Sequence, residues 1–150
     1  MAEPVRCEVK GVFVVMSNAA TVPAVILADG AGRQLPIFVG LWEAVSINSA
    51  QNGEVLPRPQ AHDLLLCALE RYGIAVKGLR IDSLEDNVYY AQLDLSRDGK
   101  DESLDCRPSD GIAVALRAHA PISVTEEVLA AAETGDTVAD MVDLSTFLCS

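Results

Sequence analysis

The segment VYYAQLDLSRDGKDESLDCRPSDGIAVALRA, residues 88–118, decides the fold class. Residues 88–95 alternate between two faces, which is typical of a strand with one buried side. The charged segment 96–102 is expected to be a hairpin tip that leads into a short returning strand. A helix over 108–118 then follows, because proline suits the first helical turn. Strands that are grouped before a helix favour an α+β domain over a doubly wound α/β fold.

A similar order of elements is expected earlier in the chain. Its predicted parts are strands over 7–16, 24–28 and 35–39 and a helix over 41–51. Three strands and a helix recur around 74–118, so the chain is expected to contain a duplicated β-β-β-α unit within one mixed sheet. A further helix over 62–72 carries the apolar stripe Leu65, Leu69 and Tyr72.

Length and composition favour one domain over residues 1–150, with its core at about 5–130 and a C-terminal tail over 135–150. The net charge of −11 repels phosphate backbones at long range, so nucleic-acid activity needs a local basic patch or a divalent cation. No signal peptide or membrane span is expected, and we expect a cytoplasmic protein with reduced thiols. Cys67 is expected to pack inside as a small apolar group.

Two Arg-Pro segments each precede a helix: PRPQAHD at 57–63 and DCRPSDG at 105–111. One interpretation is helix capping, in which Ser109 and Asp110, and likewise Asp63, bond the free N–H groups of the first turn. Such a cap stabilises by about 1 kcal/mol.

The second interpretation starts from the two arginines, since capping requires neither Arg58 nor Arg107. A guanidinium beside a helix N-terminus forms an anion site. Related halves would bring the two helix starts together. The resulting cleft would contain Arg58, His62, Asp63, Arg107 and Asp110, and would bind a phosphate or a divalent cation.

Three further residues have two interpretations each. His62 is either a partly buried residue at the edge of the core or an acid–base group. Glu43 is either solvated or a third carboxylate for a metal. Tyr89 and Tyr90 point to opposite faces of their strand, so that one packs in the core and the other is free for stacking or hydrogen bonding.

Three blocks resemble the signature blocks of the bifunctional nuclease domain family: PRPQAHDLLLCALERYG, SLEDNVYYAQL and DCRPSDGIAVALRAHAPISV. The earlier LPIFVG, followed by Glu43, is similar as well, and the resemblance covers about residues 5–130. It implies one α+β domain with a mixed sheet, often a homodimer, and in some members cleavage of both RNA and DNA. The matching positions are Glu43, Arg58, Pro59, His62, Asp63, Asp86, Tyr90, Asp105, Arg107, Pro108, Ser109 and Asp110.

Two classes of function follow, together with a structural alternative. In a metal-dependent nuclease for single-stranded RNA or DNA, Mg²⁺ or Mn²⁺ would be the cofactor, with no organic cofactor. The roles would be metal binding by Glu43, Asp63 and Asp110, acid–base catalysis by His62, phosphate binding by Arg58 and Arg107, and substrate contacts by Ser109 and Tyr90. The other class is a non-enzymatic module that binds an anion or a protein. In the structural alternative, the arginines only bridge carboxylates.

Overall fold

The computed structural model describes residues 3–17, 20–133 and 141–149, which form eight strands and five helices. The strands are β1 (Val5–Ser17), β2 (Ala20–Asp29), β3 (Gln34–Phe38), β4 (Ala75–Glu85), β5 (Val88–Arg97), β6 (Lys100–Cys106), β7 (Ile122–Val124) and β8 (Met141–Asp143). The helices are α1 (Leu41–Gln51), α2 (Ala61–Arg71), α3 (Pro108–Ala118), α4 (Glu126–Glu133) and α5 (Leu144–Leu148). The expected α+β class is confirmed. Of the tail, residues 134–140 and 150 lie outside the described residues.

The strands form one mixed sheet in the order β3-β2-β1-β7-β4-β5-β6, and β8 pairs with β1 off this path. Strand β7 is antiparallel to β1 on one side and parallel to β4 on the other. Two three-stranded antiparallel units therefore meet through β7, and each is followed by a helix. The element order β-β-β-α thus occurs twice, while a duplication behind it stays a prediction.

Tight turns join the strands of the second unit. Asp86 and Asn87 have φ angles of 50° and 64°, and Asp98 and Gly99 have φ angles of 50° and 79°. Left-handed values at both central positions are typical of type I′ turns, which match the twist of a two-residue hairpin. These turns fix the register that brings the end of β6 to the start of α3.

The start of α3 lies close against β4. Leu79 is fully buried, and a Cβ atom at Gly111 would clash with its δ-methyl group. A glycine at this position lets the first turn of α3 approach the sheet this closely without displacing Leu79. The close packing places Arg107 and Asp110 where β6 ends.

Helix α2 lies on the surface, and none of its residues is buried. Leu66 packs against the core, whereas Leu65 and Tyr72 of the predicted stripe are exposed. The expectation that Cys67 packs inside is wrong, because this side of α2 faces away from the sheet and leaves the thiol exposed. Contacts of its first turn, described below, hold α2 in place. In the described part of the chain, no helix is long and apolar enough to cross a membrane.

Candidate functional site

The two Arg-Pro helix starts meet in the folded chain. Nε2 of His62 in the first turn of α2 lies 2.9 Å from Oδ1 of Asp110 in the first turn of α3, although the two residues are 48 positions apart. Helix α1 packs against α3 and adds a third wall. Side chains of three helices therefore converge at one place.

Arg107 lies between two carboxylates. It donates to Asp110 from Nε at 2.8 Å and from Nη2 at 3.0 Å, and its Nη1 lies 3.2 Å from Oε1 of Glu43. The bonds to Asp110 and the nearby Glu43 raise the pKa of Arg107, so the group stays a cation. Its side chain is nevertheless 64% exposed to solvent.

His62 is held through both ring nitrogens. Its Nδ1 lies 2.6 Å from Oγ of Ser46 on α1, and its Nε2 contacts Asp110. An ionised carboxylate only accepts hydrogen bonds, so Nε2 carries the proton toward Asp110, and in the neutral ring Nδ1 accepts from the Ser46 hydroxyl. Ser46 is buried, and His62 is largely so. The imidazole is thus fixed in one orientation.

Asp110 is the centre of this network. Burial raises the pKa of its carboxyl group, but hydrogen bonds from Arg107 and His62 outweigh burial, and the pKa lies below its usual range. Asp110 is therefore an anion at neutral pH. It joins the guanidinium to the imidazole. The capping interpretation is wrong for Asp110, because its carboxylate bonds these two side chains and no backbone N–H of the first turn.

Asp63 takes part in a neighbouring network instead. Its Oδ2 accepts from the backbone N–H of Gln60 at 2.8 Å, and its Oδ1 accepts from Nε of Arg117 at 2.6 Å. Burial raises the pKa of Asp63, yet these two donors lower it further than burial raises it. Asp63 closes the first turn of α2, as the capping interpretation expects. Arg117 also donates to the backbone oxygens of Ala113 and Ser46, and so ties α1, α2 and α3 together.

The three predicted substrate contacts have different surroundings. Arg58 is exposed, and among the described residues it makes no hydrogen bond or ion pair. Ser109 is buried in the first turn of α3. Tyr90 is exposed, but it alternates with Ala91, which faces the core, so its side chain lies on the opposite face of the sheet from α3. Tyr90 is therefore not brought into the network of Arg107 and Asp110.

The predicted carboxylate set does not form a ready metal site. Both oxygens of Asp63 are occupied, and the guanidinium of Arg107 fills the space between Glu43 and Asp110. Within the ranges that the structure describes, no three His, Cys, Asp or Glu side chains are grouped to hold a metal ion. These residues at rest do not fit a bound Mg²⁺ or Mn²⁺, which prefer several oxygen ligands.

Two residues of the site are not predicted from the sequence. Ser46 lies three residues after Glu43, on the same side of α1, and Arg117 lies two turns after Asp110 on α3. Helical spacing therefore marks both positions as neighbours of acidic site residues. It does not show which of many polar helix residues meet a second helix.

The fold and this site define a class: an α+β domain with an arginine–carboxylate–histidine network at two joined helix starts. The family model of the bifunctional nuclease domain matches residues 25–136, so the chain belongs to this family. An uncharacterized protein of Mycobacterium tuberculosis is 38% identical over 126 residues, which are 83% of this chain and 75% of that protein.

Plant proteins are similar as well. Bifunctional nuclease 1 of Oryza sativa subsp. japonica is 33% identical over 105 residues, which are 68% of this chain and 32% of that protein. Bifunctional nuclease 1 of Arabidopsis thaliana is 33% identical over 109 residues, 69% of this chain and 34% of that protein. The chain thus spans about a third of these plant relatives. The expected homodimer and the cytoplasmic location stay predictions.

Proposed function

We propose that the protein is a nuclease that hydrolyses phosphodiester bonds in RNA or DNA at the network of Glu43, His62, Arg107 and Asp110. The observation that carries the proposal is the exposed guanidinium of Arg107, held between two carboxylates at a helix N-terminus. Relatives named bifunctional nuclease support the reaction class.

Arg107 would bind the phosphate. A guanidinium pairs with two phosphate oxygens in a planar, bidentate geometry. The first turn of α3 adds free backbone N–H groups at Ser109 and Asp110, and the helix dipole favours an anion there. Arg58, which precedes α2, would supply a second positive charge. Such groups stabilise the charge that develops on the phosphate in the transition state.

Asp110 would act as the general base. When a phosphate takes Arg107 away, Asp110 loses the two hydrogen bonds from Arg107, which are among the contacts that lower its pKa. Its affinity for a proton then rises while His62 still holds the carboxylate in place. A water molecule beside the phosphate would give its proton to Asp110 as its oxygen bonds to phosphorus. The P–O bond to the leaving oxygen would break in the same displacement, and that oxygen would take a proton from solvent. His62 would be a positioning residue, because both of its ring nitrogens are already engaged.

Dependence on Mg²⁺ or Mn²⁺ stays a prediction from the sequence, and none of these steps uses a metal. A cation would find its oxygen ligands at Glu43 and Asp110 only after Arg107 has turned away. Cleavage assays with Mn²⁺, with Mg²⁺ and with excess chelator test this point directly. If cleavage is retained in excess chelator, the arginines alone, and not a metal ion, stabilise the negative charge of the phosphate.

The central experiment compares two exposed arginines. Arg107→Ala is expected to lower cleavage of single-stranded RNA and DNA by the purified protein about 100-fold or more, since removal of one transition-state donor typically has this effect. Arg97→Ala is the matched control, because Arg97 is 61% exposed and lies at the β5–β6 hairpin, away from the helix starts.

Two outcomes would change the proposal. Cleavage that is equal in wild type and Arg107→Ala would come from a contaminant, and the nuclease proposal would fail. Oligonucleotide or phosphate binding that depends on Arg107 but is never followed by cleavage would favour the alternative, a non-enzymatic anion-binding module.

A further inference from the structure

An apolar surface lies beside the network at the junction of β3 and α1. Phe38, Leu41 and Trp42 are all exposed, and Trp42 is 80% exposed. Trp42 is the only tryptophan of the chain. Single exposed apolar residues are common, but here three large ones lie within five positions of the chain, which favours a binding role for this junction. We call Phe38, Leu41 and Trp42 the 38–42 surface.

Trp42 lies on the same face of α1 as a residue of the network. Side chains four positions apart are neighbours on a helix surface, so Trp42 and Ser46 share one face of α1. Oγ of Ser46 lies 2.6 Å from Nδ1 of His62, and Nε2 of His62 contacts Asp110. The exposed indole therefore lies one helical turn from a residue that contacts the network, in the same turn of α1 as Glu43, which contacts Arg107.

We propose that Trp42 stacks on an unpaired nucleobase next to the phosphate bound by Arg107, so that the substrate class is single-stranded nucleic acid. This inference rests on the proposed function and specifies its substrate. A guanidinium for the phosphate beside an aromatic face for the base is the combination that proteins use for single strands. In a duplex the bases are stacked inside and cannot cover the indole.

The position of Trp42 also predicts weak sequence preference. Every nucleobase has a π face, so stacking alone does not distinguish one base from another. Tyr90, the aromatic residue that the sequence favours for this role, lies on the other face of the sheet. Trp42 therefore replaces Tyr90 as the stacking residue.

Binding is measured separately from cleavage. The probe is a single-stranded 12-nucleotide DNA with phosphorothioate linkages that resist hydrolysis, and the signal is the fluorescence of the protein, in which all tryptophan emission comes from Trp42. The single strand is expected to quench this emission to saturation. The same sequence as a duplex, and inorganic phosphate alone, are expected to quench little or not at all.

Variants are compared by the fluorescence anisotropy of a labelled single strand. Trp42→Leu keeps an apolar side chain without an aromatic face and is expected to weaken binding about 10-fold or more, whereas Trp42→Phe retains most of the affinity. Tyr72→Leu is the matched control, because Tyr72 is 72% exposed but lies at the far end of α2. It is expected to bind like wild type.

The outcomes separate this inference from the proposed function. If Arg107→Ala abolishes binding and Trp42→Leu binds like wild type, the nuclease proposal stands and stacking is refuted. Equal quenching by single strand and duplex also refutes it. If Trp42→Leu turns a dimer into a monomer in size-exclusion chromatography with unchanged oligonucleotide affinity, the 38–42 surface is an interface between two copies and the inference is wrong. A wild type that binds no strand at all overturns both proposals.

Discussion

Replacement of Arg117 by methionine tests whether the neighbouring network holds the site together. The guanidinium donates to Asp63 at 2.6 Å, to the backbone oxygens of Ala113 and Ser46 at 3.0 and 3.3 Å, and to the side-chain oxygen of Gln60 at 3.4 Å. Its side chain is only 10% exposed, whereas that of Asp63 is 39% exposed. Arg117→Met keeps the apolar stem and removes all four bonds.

The expected loss follows from these contacts. Removing one partner of a fully buried ion pair costs about 3–5 kcal/mol, but solvent at Asp63 screens part of this effect. Asp63 also keeps its bond from the Gln60 N–H. We therefore expect the free energy of unfolding to fall by about 2–3 kcal/mol, which corresponds to a decrease in Tm of about 4–12 °C for a domain of this size.

Urea titration and thermal unfolding measure this loss, with Arg80→Met as the control. Arg80 also pairs with a carboxylate, Asp94 at 2.7 Å, but it is more exposed and joins strands that are already paired. We expect its loss to be about 1 kcal/mol. A loss in Arg117→Met that is no larger than in Arg80→Met would refute the reasoning that Arg117 joins the three helices.

The pH dependence provides a second check on the same variant. In the folded protein, burial raises the pKa of Asp63, but the Gln60 N–H and Arg117 lower it below its usual range. A lowered folded-state pKa contributes stability above the unfolded pKa, and the contribution is lost as the pH falls through the folded value. The difference in the free energy of unfolding between wild type and Arg117→Met should thus be steady near neutral pH and become smaller below about pH 4. A difference that is constant down to pH 2 would contradict this.

Three further substitutions address the geometry of the site. Gly111→Ala is expected to lower the free energy of unfolding, measured in urea, by about 1–3 kcal/mol, because the new methyl group clashes with the buried Leu79. A gain in stability would show instead that the Leu79 side chain shifts to accommodate the methyl group. Gly40→Ala places a Cβ against the Glu43 carboxylate and pushes it off the guanidinium. Calorimetry is then expected to show phosphate binding that is about 2–5-fold tighter, because losing an exposed ion pair changes the binding free energy by on the order of 1 kcal/mol or less. Unchanged affinity would contradict the role of Glu43. Asp110→Asn is expected to lower cleavage about 100-fold. It is also expected to lower stability at pH 7, and this difference should narrow below about pH 4, as the pH falls toward the lowered folded-state pKa of Asp110. A stability difference that persists in acid would contradict an ionised Asp110.

Helix bounds are the most predictable part of the fold. Helix α1 covers Leu41–Gln51 and α3 covers Pro108–Ala118, as the sequence predicts. Glycine, proline and Asn-Gly at the ends interrupt the helical backbone whatever the rest of the fold does. Strands β1 and β2 are longer than predicted, because antiparallel pairing continues to Ser17 and Ala20. Pairing partners, not local residues, set the strand ends.

The site is predictable only in part for the same reason. His62, Arg107 and Asp110 can be named because each sits at a helix start whose backbone chemistry is known in advance. Ser46 and Arg117 acquire their roles only where one helix meets another. The side of α2 that stays in water also depends on packing, which is why Cys67 is exposed although it lies in an apolar run.

The net charge of −11 bears on both proposals together. At rest, Glu43 and Asp110 neutralise Arg107, so a phosphate has to compete with two carboxylates for one guanidinium. A ligand held by charge alone would bind weakly to such a site, and an anionic ligand would be repelled at long range by the net negative charge. A base stacked on Trp42 adds binding energy that neither the carboxylates nor the net charge opposes. Under both proposals together, the protein would select strands that present both a phosphate and an unpaired base, rather than polyanions in general.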